Sequence, residues 1–189
     1  MRKGTSIVAL ATLPLAALAQ ERGFDYTYVE GGYLSDAGPV EPDSDGLGLR
    51  GSVTLNDRLH LFADYSTHDH DAGPDLESSV LAVGVGFHTA LRPRLDFVGE
   101  VGWASAEIDT SVGGEDDEGL ALTAALRYRA NDDLELEGSI NHLDVDWSDT
   151  WVALRARYWL TRSFAVTGGL LFDEGDTGLQ LGFRASFGR

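Results

Sequence analysis

The sequence has no cysteine in 189 residues. Disulfides are therefore excluded, as are the thiolate ligands that most structural zinc sites use. Lys3 is the sole lysine, so nearly every cation is an arginine. No run approaches the roughly 18 apolar residues that a membrane-spanning helix needs. Positive charge is also scarce, with 14 basic residues against 31 acidic ones and a net charge of −17. A chain this acidic is a poor partner for nucleic acid. It suits basic partners or divalent cations.

The chain begins with Met1-Arg2-Lys3, an apolar run from Ile7 to Leu18, and the small-x-small step Ala17-Leu18-Ala19 before Gln20. This order predicts a cleaved secretory leader over residues 1–19 and one exported domain over 20–189. Gln20 stands where a lipoprotein would carry cysteine.

From Phe24 to Phe187 apolar and polar residues alternate with a period of two. Leu47, Leu49, Gly51, Val53 and Leu55 interleave with Gly48, Arg50, Ser52 and Thr54, and the pattern restarts about ten times. A period of two places each set on one face of a β-strand. Ten strands are predicted: Phe24–Tyr33, Gly46–Leu55, Arg58–Ser66, Ser79–Thr89, Arg94–Glu107, Gly119–Arg129, Leu134–Leu143, Thr150–Leu160, Phe164–Phe172 and Gly178–Phe187. The joints alternate. Asn56-Asp57, Ala90 to Pro93, Asn131 to Asp133 and Thr161 to Ser163 are short and rich in turn formers. Leu34 to Asp45, Thr67 to Ser78, Ile108 to Glu118, Asp144 to Asp149 and Asp173 to Thr177 are longer.

Strands of about 10 residues with alternating short and long joints are the signature of a transmembrane β-barrel. The expected fold is all-β, an antiparallel up-and-down barrel of ten strands, with eight as the alternative. The apolar set, including Leu61, Val83, Val101, Leu122, Leu154, Leu170 and Leu181, would face lipid. A soluble sandwich or lipocalin-like barrel is the competing reading, but an apolar outer face on ten strands would aggregate in water. The short turns and both termini then belong in the periplasm.

The opposite face carries charge. Arg50, Arg127, Arg155, Arg157 and Arg184 share it with Asp64, Asp96, Glu100, Glu135, Glu137 and Glu30, joined by His60 and Asn141. Charges in a narrow lumen must be paired or solvated. They form either an ion-pair network closing the barrel or a polar path for small solutes or ions. The outer joints hold Asp36, Glu41, Asp43, Asp45, Asp69, Asp75, Glu115, Asp116, Asp117 and Asp176, among other carboxylates, and no arginine. No cofactor is implied beyond weak Ca²⁺ or Mg²⁺ binding at these joints, with Asp43, Asp45, Asp116 and Asp117 as candidate oxygen ligands. His68 and His70 could share a transition metal, and His142 with Asp144 or Ser148 imitates part of a hydrolase site. No nucleophile elbow, nucleotide loop or zinc motif occurs.

Tyr26-Thr27-Tyr28-Val29-Glu30-Gly31-Gly32-Tyr33, then Asp45-Gly46, Gly51-Ser52, Val83-Gly84-Val85-Gly86, Pro93-Arg94 and Asp173 to Thr177, resemble in order the short outer-membrane β-barrel proteins of xanthomonads and relatives. Gln180, Gly182, Ala185 and Phe187 resemble the final-strand signal read by the barrel-assembly machinery, with Gly188 and Arg189 following the aromatic. The resemblance implies an integral outer-membrane protein of a Gram-negative bacterium. It would be delivered by periplasmic chaperones and the assembly machinery, surrounded by lipid and lipopolysaccharide, and expected as a monomer. It supplies no catalytic residues. The family has also carried a label as a secreted quorum factor, which leaves an exported signalling role as an alternative, beside a lipid-modifying enzyme.

Overall fold

The computed structural model describes residues 23–37, 44–70, 76–110, 113–173 and 176–188. The predicted leader lies outside the described residues, as does Asp43. Ten strands follow one another: β1 (Tyr28–Ala37), β2 (Ser44–Thr54), β3 (Leu59–His70), β4 (Leu76–Arg92), β5 (Leu95–Thr110), β6 (Gly113–Arg129), β7 (Leu134–Asp144), β8 (Ser148–Trp159), β9 (Phe164–Asp173) and β10 (Asp176–Ser186). Each pairs antiparallel with its sequence neighbours, and β1 pairs with β10 to close the barrel. The eight-strand alternative is therefore excluded.

Turn chemistry sets one end. Asn56 Oδ1 accepts from the amides of Arg58 and Leu59 at 3.0 and 3.1 Å, and Asn131 Oδ1 from those of Asp133 and Leu134 at 2.9 and 2.8 Å. These side chains satisfy backbone donors that the tight turn leaves unpaired. Residues 25–27 and 187–188 meet at this turn end. The Phe187 amide donates to the Thr27 carbonyl at 2.9 Å, and the Gly188 amide to Asp25 Oδ2 at 3.0 Å.

Several of the expected boundaries differ. The first strand starts at Tyr28 rather than Phe24, and the residues before it turn under the barrel. At the loop end the strands run further than expected. Thr67–His70 belongs to β3, and most of Ile108 to Glu118 belongs to β5 and β6, which pair as far as Thr110 and Gly113. Beyond the apolar band the side chains become polar and the hydrophobic alternation fades, but backbone pairing continues.

Burial is inverted relative to a soluble protein. The largest fully buried side chains are Arg157, Arg184, His60 and Glu135, whereas Leu181 is 53% and Phe183 56% exposed. Exposed aliphatics and aromatics ring every strand pair. Phe87, Tyr128, Tyr158, Phe164 and Phe187 stand toward the turn end, and Tyr65, Trp103 and Phe172 toward the loop end. Aromatic rings at two levels bracketing an aliphatic belt match the two interfaces of a bilayer.

Close backbone approach is needed where the barrel closes. Gly32 of β1 stands directly opposite Gly182 of β10. A Cβ on either would collide with backbone atoms of the other strand. The wall beside β3 repeats the device: Gly84 and Gly102 are directly opposite, and the Phe62 ring lies over both.

Candidate functional site

The charged residues of the inner face meet in one belt across the lumen. On one side Glu30 Oε2 accepts from Arg184 Nε at 2.5 Å and from Arg157 Nε at 3.1 Å. Arg157 Nη1 also reaches Glu135 Oε1 at 3.2 Å and Glu137 Oε2 at 2.9 Å. Arg127 Nη2 donates to Glu135 Oε1 at 2.6 Å. Arg155 extends the group, with Nη1 3.1 Å from Glu137 Oε1 and Nε donating to Gln180 Oε1 at 2.8 Å. Gly169 makes room for this arginine, since a Cβ there would press on Arg155 Cγ at 3.1 Å.

On the other side Arg50 donates to Asp64 Oδ2 at 2.7 Å, to Glu100 Oε1 at 2.6 Å and to Tyr28 Oη at 3.0 Å. His60 Nε2 lies 2.9 Å from Glu100 Oε1, and His60 Nδ1 lies 3.1 Å from His88 Nδ1. The His60 ring rests over Gly86, where a Cβ would overlap it.

The N-terminal segment joins the two halves. Tyr28 lies under the Arg184 guanidinium at 3.6 Å. Tyr26 stacks on His88 with ring centroids 3.7 Å apart, sits 4.6 Å from the Arg127 guanidinium and donates to Asp96 Oδ2 at 3.0 Å. Tyr26 precedes the first strand, and burial pushes its phenol above the ordinary tyrosine range, so it remains a donor. Below it, Phe24 packs against the guanidinium groups of Arg127 and Arg129 at 4.9 and 4.8 Å. Arg129 Nη2 donates to the Gly23 carbonyl at 3.0 Å. Cation–π contacts of this kind gain strength when water is excluded.

Each belt arginine is thus matched by at least one carboxylate. In a low-dielectric interior an unmatched charge costs several kcal/mol, so the pairing is what makes the charges tolerable there. Ionised, hydrogen-bonded pairs from β1, β2, β3, β5, β6, β7, β8 and β10 cross-link the barrel from inside.

A chamber of about 770 Å³ runs from the belt, where Tyr26, Glu30 and Arg127 line it, toward the loop end. Phe62, Ala82, Ala104 and Leu143 form an apolar wall with Val80, Ala121 and Trp151 packed on it. Ser66, Ser78, Thr123 and Asn141 supply polar positions. Asp149, Asp173 and Asp176 line the chamber near the loop end, with Asp173 directly opposite Asp176 on the adjoining strand.

The remaining candidates are dispersed. Asp45 and Asp69 are opposite one another and exposed at the loop end. Asp116 and Asp117 are successive strand residues of β6 rather than loop residues and point to opposite faces, so they cannot ligate one ion together. Among the described residues no group of three or more His, Cys, Asp or Glu side chains is arranged to hold a metal. The His142 Nδ1 lies 2.8 Å from Thr150 Oγ1, on the outer face. In the last strand Gln180 points inward to Arg155, Gly182 meets the closing seam, Ala185 pairs with Phe164 and Phe187 is exposed.

Sequence reasoning missed His88, Tyr26 with Phe24, and the Phe62 wall. The signal for His88 was available, because it shares the parity of Gly86, Gly84 and Ala82. The Phe24 plug carried no such signal, since its alternation continues that of β1.

Residues 5–157 match the family described as outer membrane protein beta-barrel domain. No curated protein matches the sequence. Among solved structures, the KdgM porin is 10% identical with a TM-score of 0.51, over 85% of this chain and 99% of that one. The NanC porin is 12% identical with a TM-score of 0.50, over 85% and 99%. The attachment invasion locus protein Ail of Yersinia pestis is 12% identical with a TM-score of 0.45, over 86% and 99%.

Proposed function

The chain belongs to the outer membrane protein beta-barrel domain family and resides in the bacterial outer membrane, and from that premise we propose that it is a non-enzymatic structural or surface-interaction component of the envelope whose lumen is closed to solutes. The observation that carries this reading is the belt itself. Arg157 is held by Glu30, Glu135 and Glu137, and Arg127 of the same group packs on Tyr26 and Phe24. A solute crossing the barrel would have to part several buried ion pairs at once. Residues 1–19 act as the export leader in this reading. The apolar belt meets lipid, the acidic loop end meets the lipopolysaccharide side, and the last strand is what the assembly machinery reads.

Planar-bilayer recording on the refolded protein tests it. The expected trace is silent at physiological salt. Discrete single-channel steps that change when Arg155 or Glu100 is neutralised would establish a channel instead. Altered lipopolysaccharide in expressing cells, lost in His142→Ala, would establish an enzyme. Full-length protein in vesicle-free supernatant would establish a secreted factor.

A further inference from the structure

The chamber above the belt differs from the belt in chemistry. Its floor is polar and internally neutralised, for Arg50, Arg155 and Arg157 each face carboxylates. One side is apolar, built on Phe62, Leu143 and Trp151. Toward the mouth Asp149, Asp173 and Asp176 point inward beside His68, and no arginine or lysine lines this part among the described residues.

A concave site of several hundred Å³ with an apolar, aromatic lining and a few placed polar groups is the usual form of a small-molecule site. We propose that this chamber binds a small hydrophobic cation entering from the loop end. Its apolar body would lie against Phe62, Leu143 and Trp151, with its ammonium group among the aspartates of the mouth. Trp151 supplies a flat apolar face with an affinity for cations. An anionic ligand would find no unmatched positive group on the floor and three carboxylates at the entrance. A simple divalent ion would leave the apolar wall unused. The inference rests on the chamber being closed at its base, but the two separate experimentally: a barrel that conducts and still binds would overturn the closed-lumen reading alone.

The test is fluorescence titration of the aromatic cation proflavine into the full barrel in zwitterionic lipid nanodiscs, with protein-free discs subtracted. The expected result is saturable binding of one dye per barrel. Trp151→Ala and the double variant Asp149→Asn/Asp176→Asn should each weaken it at least tenfold while retaining heat-modifiable gel mobility. The anionic dye anilinonaphthalene sulfonate should show no saturable binding above the empty discs. Absence of saturable proflavine binding would overturn the proposal. So would binding unchanged by Trp151→Ala, which would reduce the site to surface carboxylates. Should Trp151→Ala fail to fold, Leu143→Ala serves as the second wall variant under the same criterion.

Discussion

The Nδ1 atoms of His60 and His88 meet at 3.1 Å, while the other nitrogen of His60 faces Glu100 at 2.9 Å. One imidazole must accept where the other donates. Protonating both rings removes that acceptor and sets two cations in contact beneath Tyr26. Urea unfolding at pH 7.5 and pH 4.5 should show a larger acid loss in the wild type than in His88→Asn. Equal losses would remove this ring contact as a source of acid sensitivity.

Glu30 holds two arginines through one oxygen. Glu30→Gln leaves Arg157 with Glu135 and Glu137 but deprives Arg184 of its anion. Breaking one side of a buried pair costs roughly 3–5 kcal/mol. The unfolding midpoint of Glu30→Gln should fall accordingly, and Arg184→Met added to it should restore part of the loss. A double variant weaker than the single one by the full additional amount would show that Arg184 acts through packing rather than charge.

The two faces should respond oppositely to charge. Leu181 is 53% exposed in mid-strand, whereas Arg184, three residues on, is 1% exposed. Leu181→Arg faces lipid and should cost about 2–4 kcal/mol if it lies near the bilayer midplane. Leu55→Arg, at a turn, should cost far less. Refolding free energies in lipid vesicles would show the contrast, and equal costs would mean that the outer face is not the lipid face.

Gly182→Val should block closure, because a Cβ there meets the backbone of Gly31 and Gly32. Gly51→Ala provides the control, as nothing lies within 4 Å of its added Cβ. The first variant should lose the heat-modifiable folded band and the second should keep it.

The faces of the strands were legible because a period of two is written locally, residue by residue. Leu61 and Arg127 reveal their sides through their neighbours alone. Which charges meet was not legible. Glu30 and Arg184 are 154 positions apart, and their contact depends on the register of the closing seam. The first boundary failed for a different reason. Phe24 and Tyr26 extend the alternation of β1, but Asp25 caps the Thr27 amide at 2.8 Å and turns the segment inward, a side-chain bond that periodicity does not encode. The polar runs at Thr67–His70 and Glu115–Glu118 resemble loops by composition, yet their backbones pair because the strands on either side are already aligned.

The contacts of Phe187 with Thr27 and of Gly188 with Asp25 bring the two ends of the barrel together. The barrel is therefore a ring with one unjoined link. A permuted protein, joined by a short linker between its present ends and opened instead at an outer connection such as 145–147, would keep all ten strand pairings of the barrel. It would deliver those strands to the membrane in a different order, which separates the requirements of the finished wall from those of the route by which it is built.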